Sequence, residues 1–107
     1  MKKKDITYED RDILDTEQGY VLKLFVTGAS PNSARAITNL KDICEMHIAG
    51  GYKLEIIDVY QQPLKARNEQ IIALPMLVKS HPLPIKRLIG DMSNKEKVLK
   101  GLGLNSE

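Results

Sequence analysis

The chain has 107 residues, of which 42% are hydrophobic, and its formal net charge is +2. A chain of this length buries one compact core rather than two, and its small, interspersed charge argues against a nucleic-acid binder. Cys44 is the single cysteine, which excludes an internal disulfide and makes the cytoplasm the expected location.

Residues 1–19 are predicted to form a flexible, charged extension. A basic run, Lys2 to Lys4, is followed at once by acidic residues, and no long apolar segment comes after it. This pattern favours neither a secretory signal nor a membrane span. The folded domain is therefore predicted over residues 20–104.

The first predicted elements are a strand and a helix. Tyr20 to Thr27 is an almost continuous apolar run, which is typical of a strand covered on both faces. Ser30 and Pro31 then form an N-cap and first-turn signature, and apolar residues follow at helical spacing. Gly50 and Gly51 are predicted to close this helix.

The next run, Tyr52 to Tyr60, is rich in β-forming residues and predicts a second strand parallel to the first. Strand, helix and strand make one βαβ unit with a right-handed crossover. The two strands are therefore expected side by side or one strand apart in the same sheet.

The second half contains weaker local signals. Pro63 to Gln70 is polar and fits either a short helix or a loose edge segment. Ile71 to Val78 is apolar throughout, which leaves strand and buried helix open. Ile85 to Ile89 likewise fits a strand or a helical turn, and Ser93 with Glu96 forms a capping box that predicts a terminal helix.

Taken in order, the predicted elements are β, α, β, α, β, β, α, which is the α/β arrangement of the thioredoxin-like fold. Pro75 falls immediately before the third strand, at the place where that fold carries a cis-proline. We therefore expect the Leu74–Pro75 peptide bond to be cis.

Two serines stand where thioredoxin-type proteins carry their redox cysteines. Ser30 and Ser33 lie at the start of the first predicted helix, and a serine hydroxyl neither forms a disulfide nor leaves as a thiolate. Cys44 lies about three turns further on and is expected to be a core residue. His47 and His81 are well separated in sequence, so we expect no catalytic set, no metal site and no cofactor.

Five segments spread over residues 20–102 have a combined pattern that is specific. They are Tyr20 to Val26, Ser30 to Ser33 with Arg35 and Ala36, Leu54 to Val59, Leu74 to Leu77, and Ile85 to Leu99. Together they resemble the KaiB family of circadian clock proteins.

The resemblance implies a non-enzymatic clock component that binds the amino-terminal ATPase ring of KaiC, a hexamer. Members of this family adopt a tetrameric ground-state fold and a rarer, monomeric thioredoxin-like fold that binds KaiC, so self-association as a dimer or tetramer is expected. The two folds share the first half and rebuild the C-terminal half. Gly90 and Asp91 lie at the expected fold-switch junction, where glycine permits unusual backbone angles.

The same resemblance implies a partner-binding surface. Arg35, Lys86 and Arg87 match basic positions of the family's KaiC-facing surface, where they would pair with acidic groups and steer encounter. The chain departs from clock members in its less acidic segment over residues 65–70, its longer N-terminal extension and its weakly acidic C-terminus. These departures suggest a KaiB paralogue or a homologue outside the standard oscillator, for which a role in stress adaptation is expected.

Two alternative functions follow from the same fold. One is a redox or thiol-binding protein of the thioredoxin fold, against which the pair Ser30 and Ser33 argues. The other is a stand-alone sensory module related to the KaiB-like domain of the SasA histidine kinase, with such a kinase as its partner.

Overall fold

A computed structural model describes residues 19–28 and 30–104. The predicted extension over residues 1–19 therefore lies, except for Gly19, outside the described residues. The elements follow the predicted order, β1 (Tyr20–Val26), α1 (Pro31–His47), β2 (Tyr52–Asp58), α2 (Pro63–Arg67), β3 (Met76–His81), β4 (Lys86–Ile89) and α3 (Lys95–Leu102). No helix in these two ranges is both long and apolar enough to cross a lipid bilayer.

The strands form one four-stranded sheet in the order β2-β1-β3-β4. β1 and β2 are parallel and directly adjacent, in register from Tyr20 opposite Tyr52 to Val26 opposite Asp58. β3 runs antiparallel to both β1 and β4. This confirms the predicted parallel pair and the thioredoxin-like class.

Both faces of the sheet are covered. On one face, residues of α1, α3 and alternate positions of β1 and β3 form the larger core cluster, including Leu24, Leu40, Leu77 and Leu102. On the other face, Phe25 anchors a smaller cluster beneath α2 and the segment before β3. The alternation of side chains along β1 explains why its sequence is apolar at consecutive positions.

α1 begins as predicted and ends earlier than predicted. Ser30 is its N-cap and Pro31 follows in the first turn. The helix stops at His47 because Ile48 adopts an extended conformation and buries its side chain in the core. The two glycines predicted to close the helix lie beyond it, in the turn into β2. The predicted second strand is also shorter, since Asp58 ends it by accepting a turn hydrogen bond from the Tyr60 backbone N–H at 2.9 Å.

The structure resolves the ambiguous second half. α2 is a helix of five residues with no buried side chain. The apolar run over residues 71–78 divides into an irregular segment and β3, whose central position between β1 and β4 fixes it as a strand. The peptide bond between Leu74 and Pro75 is cis, as are those before Pro82 and Pro84.

The capping-box prediction for the last helix was wrong by one residue. The N-cap of α3 is Asn94, whose Oδ1 accepts a hydrogen bond from the Lys97 backbone N–H at 3.1 Å. Ser93 instead forms part of the preceding turn, where its backbone N–H donates to Asp91 Oδ1 at 3.0 Å. Met92 sits inside this turn with a φ of 64° and a buried side chain.

Candidate partner-binding surface

The serine pair at the start of α1 forms a closed hydrogen-bonded unit. Ser30 Oγ accepts from the Ser33 backbone N–H at 3.1 Å and from the Thr27 hydroxyl at 3.3 Å. Ser33 is fully buried, and its Oγ accepts from the Thr27 backbone N–H at 3.1 Å. Both oxygens therefore stabilise the strand-to-helix turn.

The single thiol lies away from this turn. Cys44 is fully buried in the larger core cluster. Burial, reinforced by the charge of Glu45, raises the pKa of the Cys44 thiol to about 11. A protonated, buried thiol is a poor nucleophile, which agrees with the predicted core role.

The two histidines do not form part of a ligand cluster. His47 is exposed in the last turn of α1, and His81 ends β3. Within residues 19–28 and 30–104, no group of three or more His, Cys, Asp or Glu side chains is arranged to hold a metal ion.

The structure brings Arg35 together with the predicted fold-switch junction. Arg35 Nε lies 3.3 Å from Asp91 Oδ2, and the guanidinium also donates to the Asn32 side chain. Asn39, one turn further along α1, donates from Nδ2 to the Asp91 carbonyl oxygen at 2.9 Å. α1 therefore contacts both the carboxylate and the backbone of Asp91.

The electrostatics of this junction favour an ionised Asp91. Hydrogen bonds from the Ser93 hydroxyl and backbone N–H, together with Arg35, hold the pKa of Asp91 below its usual range. The neighbouring Gly90 has a φ of 120° and donates its N–H to the Pro75 carbonyl at 3.0 Å. The junction is thus fixed on one side by α1 and on the other by the loop before β3.

The other two predicted binding residues point to opposite faces of β4. Arg87 lies opposite Val78 and Lys86 lies opposite Lys79, so successive side chains alternate across the sheet. Arg87 Nη2 is 3.8 Å from Glu69 Oε1. The structure therefore does not gather Arg35, Lys86 and Arg87 into one compact cluster.

Two further charged residues were missed by the sequence analysis. Lys79 is buried, with its Nζ donating to the Pro82 carbonyl at 2.7 Å, and burial together with the charge of Lys86 lowers its pKa. Because Lys79 continues an apolar run and shares a face of the strand with Leu77, the sequence could have indicated that its side chain is buried. Glu69 gave no such signal, because its ionic partners are distant in sequence.

Comparison with known proteins decides the family. The family model of the KaiB domain matches residues 23–104. The match begins at Lys23 within β1 and ends just beyond α3. The chain belongs to the KaiB family.

Its similarity to curated KaiB proteins is high over most of both sequences. The circadian clock oscillator protein KaiB of Synechococcus elongatus is 51% identical over 85 residues, covering 79% of this chain and 83% of that protein. The protein of the same name from Prochlorococcus marinus subsp. pastoris is also 51% identical over 85 residues, covering 79% of each chain. The predicted family membership is therefore confirmed.

Solved structures share the fold at low sequence identity. The N-terminal domain of Synechococcus elongatus SasA aligns with a TM-score of 0.64 and 20% identity, covering 100% of this chain and 95% of that one. Mitochondrial thioredoxin 3 from Saccharomyces cerevisiae aligns with a TM-score of 0.65 and 16% identity, covering 89% and 87%. These similarities confirm the thioredoxin-like fold.

In this KaiB-family chain, exposed large apolar side chains concentrate in the second half. Among the described residues, Met46 and Tyr60 lie in the first half, and those of the second half are Leu64, Ile72, Leu83, Ile85 and Ile89. A large contiguous apolar patch marks an interface, whereas apolar side chains that are exposed singly are common on protein surfaces. In the first half, Leu22, Leu24 and Leu40 are fully buried in the larger core cluster.

Proposed function

We propose that this chain is a non-enzymatic KaiB-like clock or signalling protein, acting in the cytoplasm, that binds a KaiC-type hexameric ATPase ring. Binding would modulate the phosphorylation state of the ring or a stress-adaptation output. The observation that carries the proposal is the 51% identity to circadian clock oscillator proteins over 85 residues.

The fold supports this proposal. The thioredoxin-like arrangement is the form that the family resemblance assigns to ring binding. Self-association as a dimer or tetramer in a second packing follows from the family resemblance, and the exposed apolar side chains of the second half are available for contacts in it. Such an equilibrium requires the two packings to differ by only about a few kcal/mol.

The serine pair supports a role without redox chemistry. Ser30 and Ser33 use their oxygens to accept hydrogen bonds at the start of α1. An insulin-reduction assay tests this, and we expect no turnover. Thiol-dependent reduction by the purified chain would favour the redox alternative.

The proposed mechanism is conformational selection. The ring captures the thioredoxin-like form, so the apparent affinity is reduced by the fraction of molecules in that form. Arg35, Lys86 and Arg87 would contribute long-range attraction and ion pairs with acidic groups on the ring.

The test is size-exclusion chromatography with light scattering, alone and after long incubation with a nucleotide-loaded KaiC-type hexamer from the same source. We expect a slow shift into a ring-sized complex that weakens when Arg35, Lys86 and Arg87 are changed to Ala. The matched control changes the exposed Lys41, Lys53 and Lys100 to Ala, which removes the same charge elsewhere. An absent complex, or equal weakening in both triple variants, would contradict the proposal.

A SasA-like histidine kinase is a second candidate partner. The similarity of fold to the SasA N-terminal domain extends over 100% of this chain. A stand-alone sensory module would bind such a kinase, and co-purification of the two proteins measures this. Kinase binding without ring binding would favour this candidate.

A further inference from the structure

We propose that the Glu69 carboxylate partly neutralises the charge of Arg87 within the folded chain. An acidic partner surface binds Arg87 by displacing this carboxylate. The inference deepens the proposed function, on which the identity of the acidic partner rests. Glu69 then opposes partner binding, whereas Arg35, Lys86 and Arg87 are expected to promote it.

Glu69 forms an ionic bridge between two strands that are not adjacent in the sheet. Its Oε1 lies 3.8 Å from Arg87 Nη2 on β4, and its Oε2 lies 4.0 Å from Lys23 Nζ on β1. The Glu69 backbone is ordered just after α2, where its N–H donates to the Ala66 carbonyl at 3.1 Å. One carboxylate thus faces two cations.

The cations are more accessible than the carboxylate between them. The side chains of Lys23 and Arg87 are 37% and 38% exposed, whereas that of Glu69 is 20% exposed. β4 is an edge strand, so an approaching surface reaches Arg87 without crossing another strand. The bridge leaves its cations open to contact from outside.

The contact to Arg87 is weak enough to be replaced. A separation of 3.8 Å exceeds hydrogen-bond length, and partly exposed ion pairs of this kind contribute little stability. A guanidinium offers donors in a fork that matches an incoming carboxylate in two parallel hydrogen bonds. An acidic partner therefore forms a better contact with Arg87 than Glu69 does.

The experiment removes the charge of Glu69 while keeping its shape. In Glu69→Gln, we expect about two- to fivefold tighter binding of a hexaglutamate peptide, the size expected for losing one surface ion pair. Binding is measured by NMR titration of the backbone amide resonances of β4, which remain observable in chains without Arg87. The nucleotide-loaded KaiC-type ring is the second probe, with the same direction expected.

The matched control is Glu55→Gln. Glu55 also pairs with a lysine, Lys65, on the molecular surface, and neither residue contacts Arg87. This variant changes the net charge equally, so we expect less than half the gain seen with Glu69→Gln. The gain from Glu69→Gln should also become smaller in an Arg87→Gln background, where only the longer contact to Lys23 remains to be released.

The outcomes separate the inference from the proposed function. A Glu69→Gln chain that binds hexaglutamate no more tightly than the unaltered chain overturns the inference. A gain that persists undiminished without Arg87 also overturns it, since the effect would then come from Lys23 or from a change in fold population rather than from Arg87. Failure of the unaltered chain to bind the ring contradicts the proposed function alone, because the peptide titration still decides the role of Glu69.

Discussion

Ser30 and Ser33, which we predicted to occupy the positions of the redox cysteines of thioredoxin-type proteins, have structural roles in this chain. A thiol there gains from the positive end of the helix, whereas a hydroxyl serves as an acceptor for unpaired N–H groups. Ser30 and Thr27 join the last residues of β1 to the first turn of α1 by this means. At the scale of single residues, the site has the geometry of a helix cap.

Cys44 should be unreactive in the folded chain. Since burial raises the pKa of its thiol to about 11, we expect a disulfide reagent to label it slowly at neutral pH and rapidly in denaturant. Labelling rates followed by absorbance check this. Fast labelling of the native chain would contradict the core role.

The same thiol should affect stability at alkaline pH. A raised pKa in the folded state means that its contribution is fully present below the unfolded pKa of about 8.5 and is lost as the pH rises toward about 11. Compared with the unaltered chain, Cys44→Ala should lose less free energy of unfolding over this range. Urea titrations of both chains at several pH values give the free energy of unfolding as a function of pH. If it falls equally steeply with pH in both chains, the raised pKa of the Cys44 thiol is refuted.

At the scale of elements, α3 depends on a cap that lies one residue beyond the sequence signature. Asn94→Ala should lower the free energy of unfolding by about 1 kcal/mol, because the Lys97 N–H loses its acceptor. Asn94→Ser should retain most of the stability, since serine caps helices about as well. Urea unfolding of the three chains checks this, and an Asn94→Ala chain as stable as the unaltered one would count against the cap.

α1 should also stabilise the turn between β4 and α3. Asn39→Ala removes the hydrogen bond to the Asp91 carbonyl, and we expect a loss of about 1 kcal/mol with faster hydrogen exchange at the Ser93 amide. Thr38→Ala, an exposed neighbour on α1, is the control and should change little. Unchanged exchange at Ser93 in Asn39→Ala would show that this contact does not order the turn.

At the scale of the whole molecule, a substitution at Gly90 tests whether the thioredoxin-like fold can be destabilised relative to the second fold that the family resemblance implies. Its φ of 120° is rarely adopted by residues with a side chain, while an added Cβ would meet no atom within 4 Å. Gly90→Ala should therefore destabilise this arrangement by about 1–3 kcal/mol through the backbone alone. The fraction of ring-competent molecules should fall and the apparent affinity with it.

The matched control for this prediction is Gly50→Ala. An added Cβ at Gly50 also meets no atom within 4 Å, and its φ lies outside the positive range. Light scattering and ring-binding rates compare the two variants. Identical oligomer profiles and binding rates for Gly90→Ala and the unaltered chain would rule out Gly90 as a switch residue.

The extent to which the structure was predictable differs between the two halves. In the first half, the apolar run of β1 and the Ser30 and Pro31 signature are local signals that agree with the tertiary packing. In the second half, the same apolar residues fit two secondary structures, and pairing with neighbouring strands decides between them. The helix boundaries at Ile48 and Asn94 also depended on packing and on a turn that no local pattern indicated.

The sequence by itself determined the family, the βαβ half, and the presence of hydroxyls rather than thiols at Ser30 and Ser33, because these depend on residue identity and on neighbours along the chain. Only the tertiary structure decided that Arg35 meets Asp91 and that Arg87 meets Glu69. These ion pairs join segments that are distant in sequence, and an exposed charge carries no local pattern that names its partner. The physical reason is that charge pairing depends on proximity in space, which only the completed sheet and its covering helices establish.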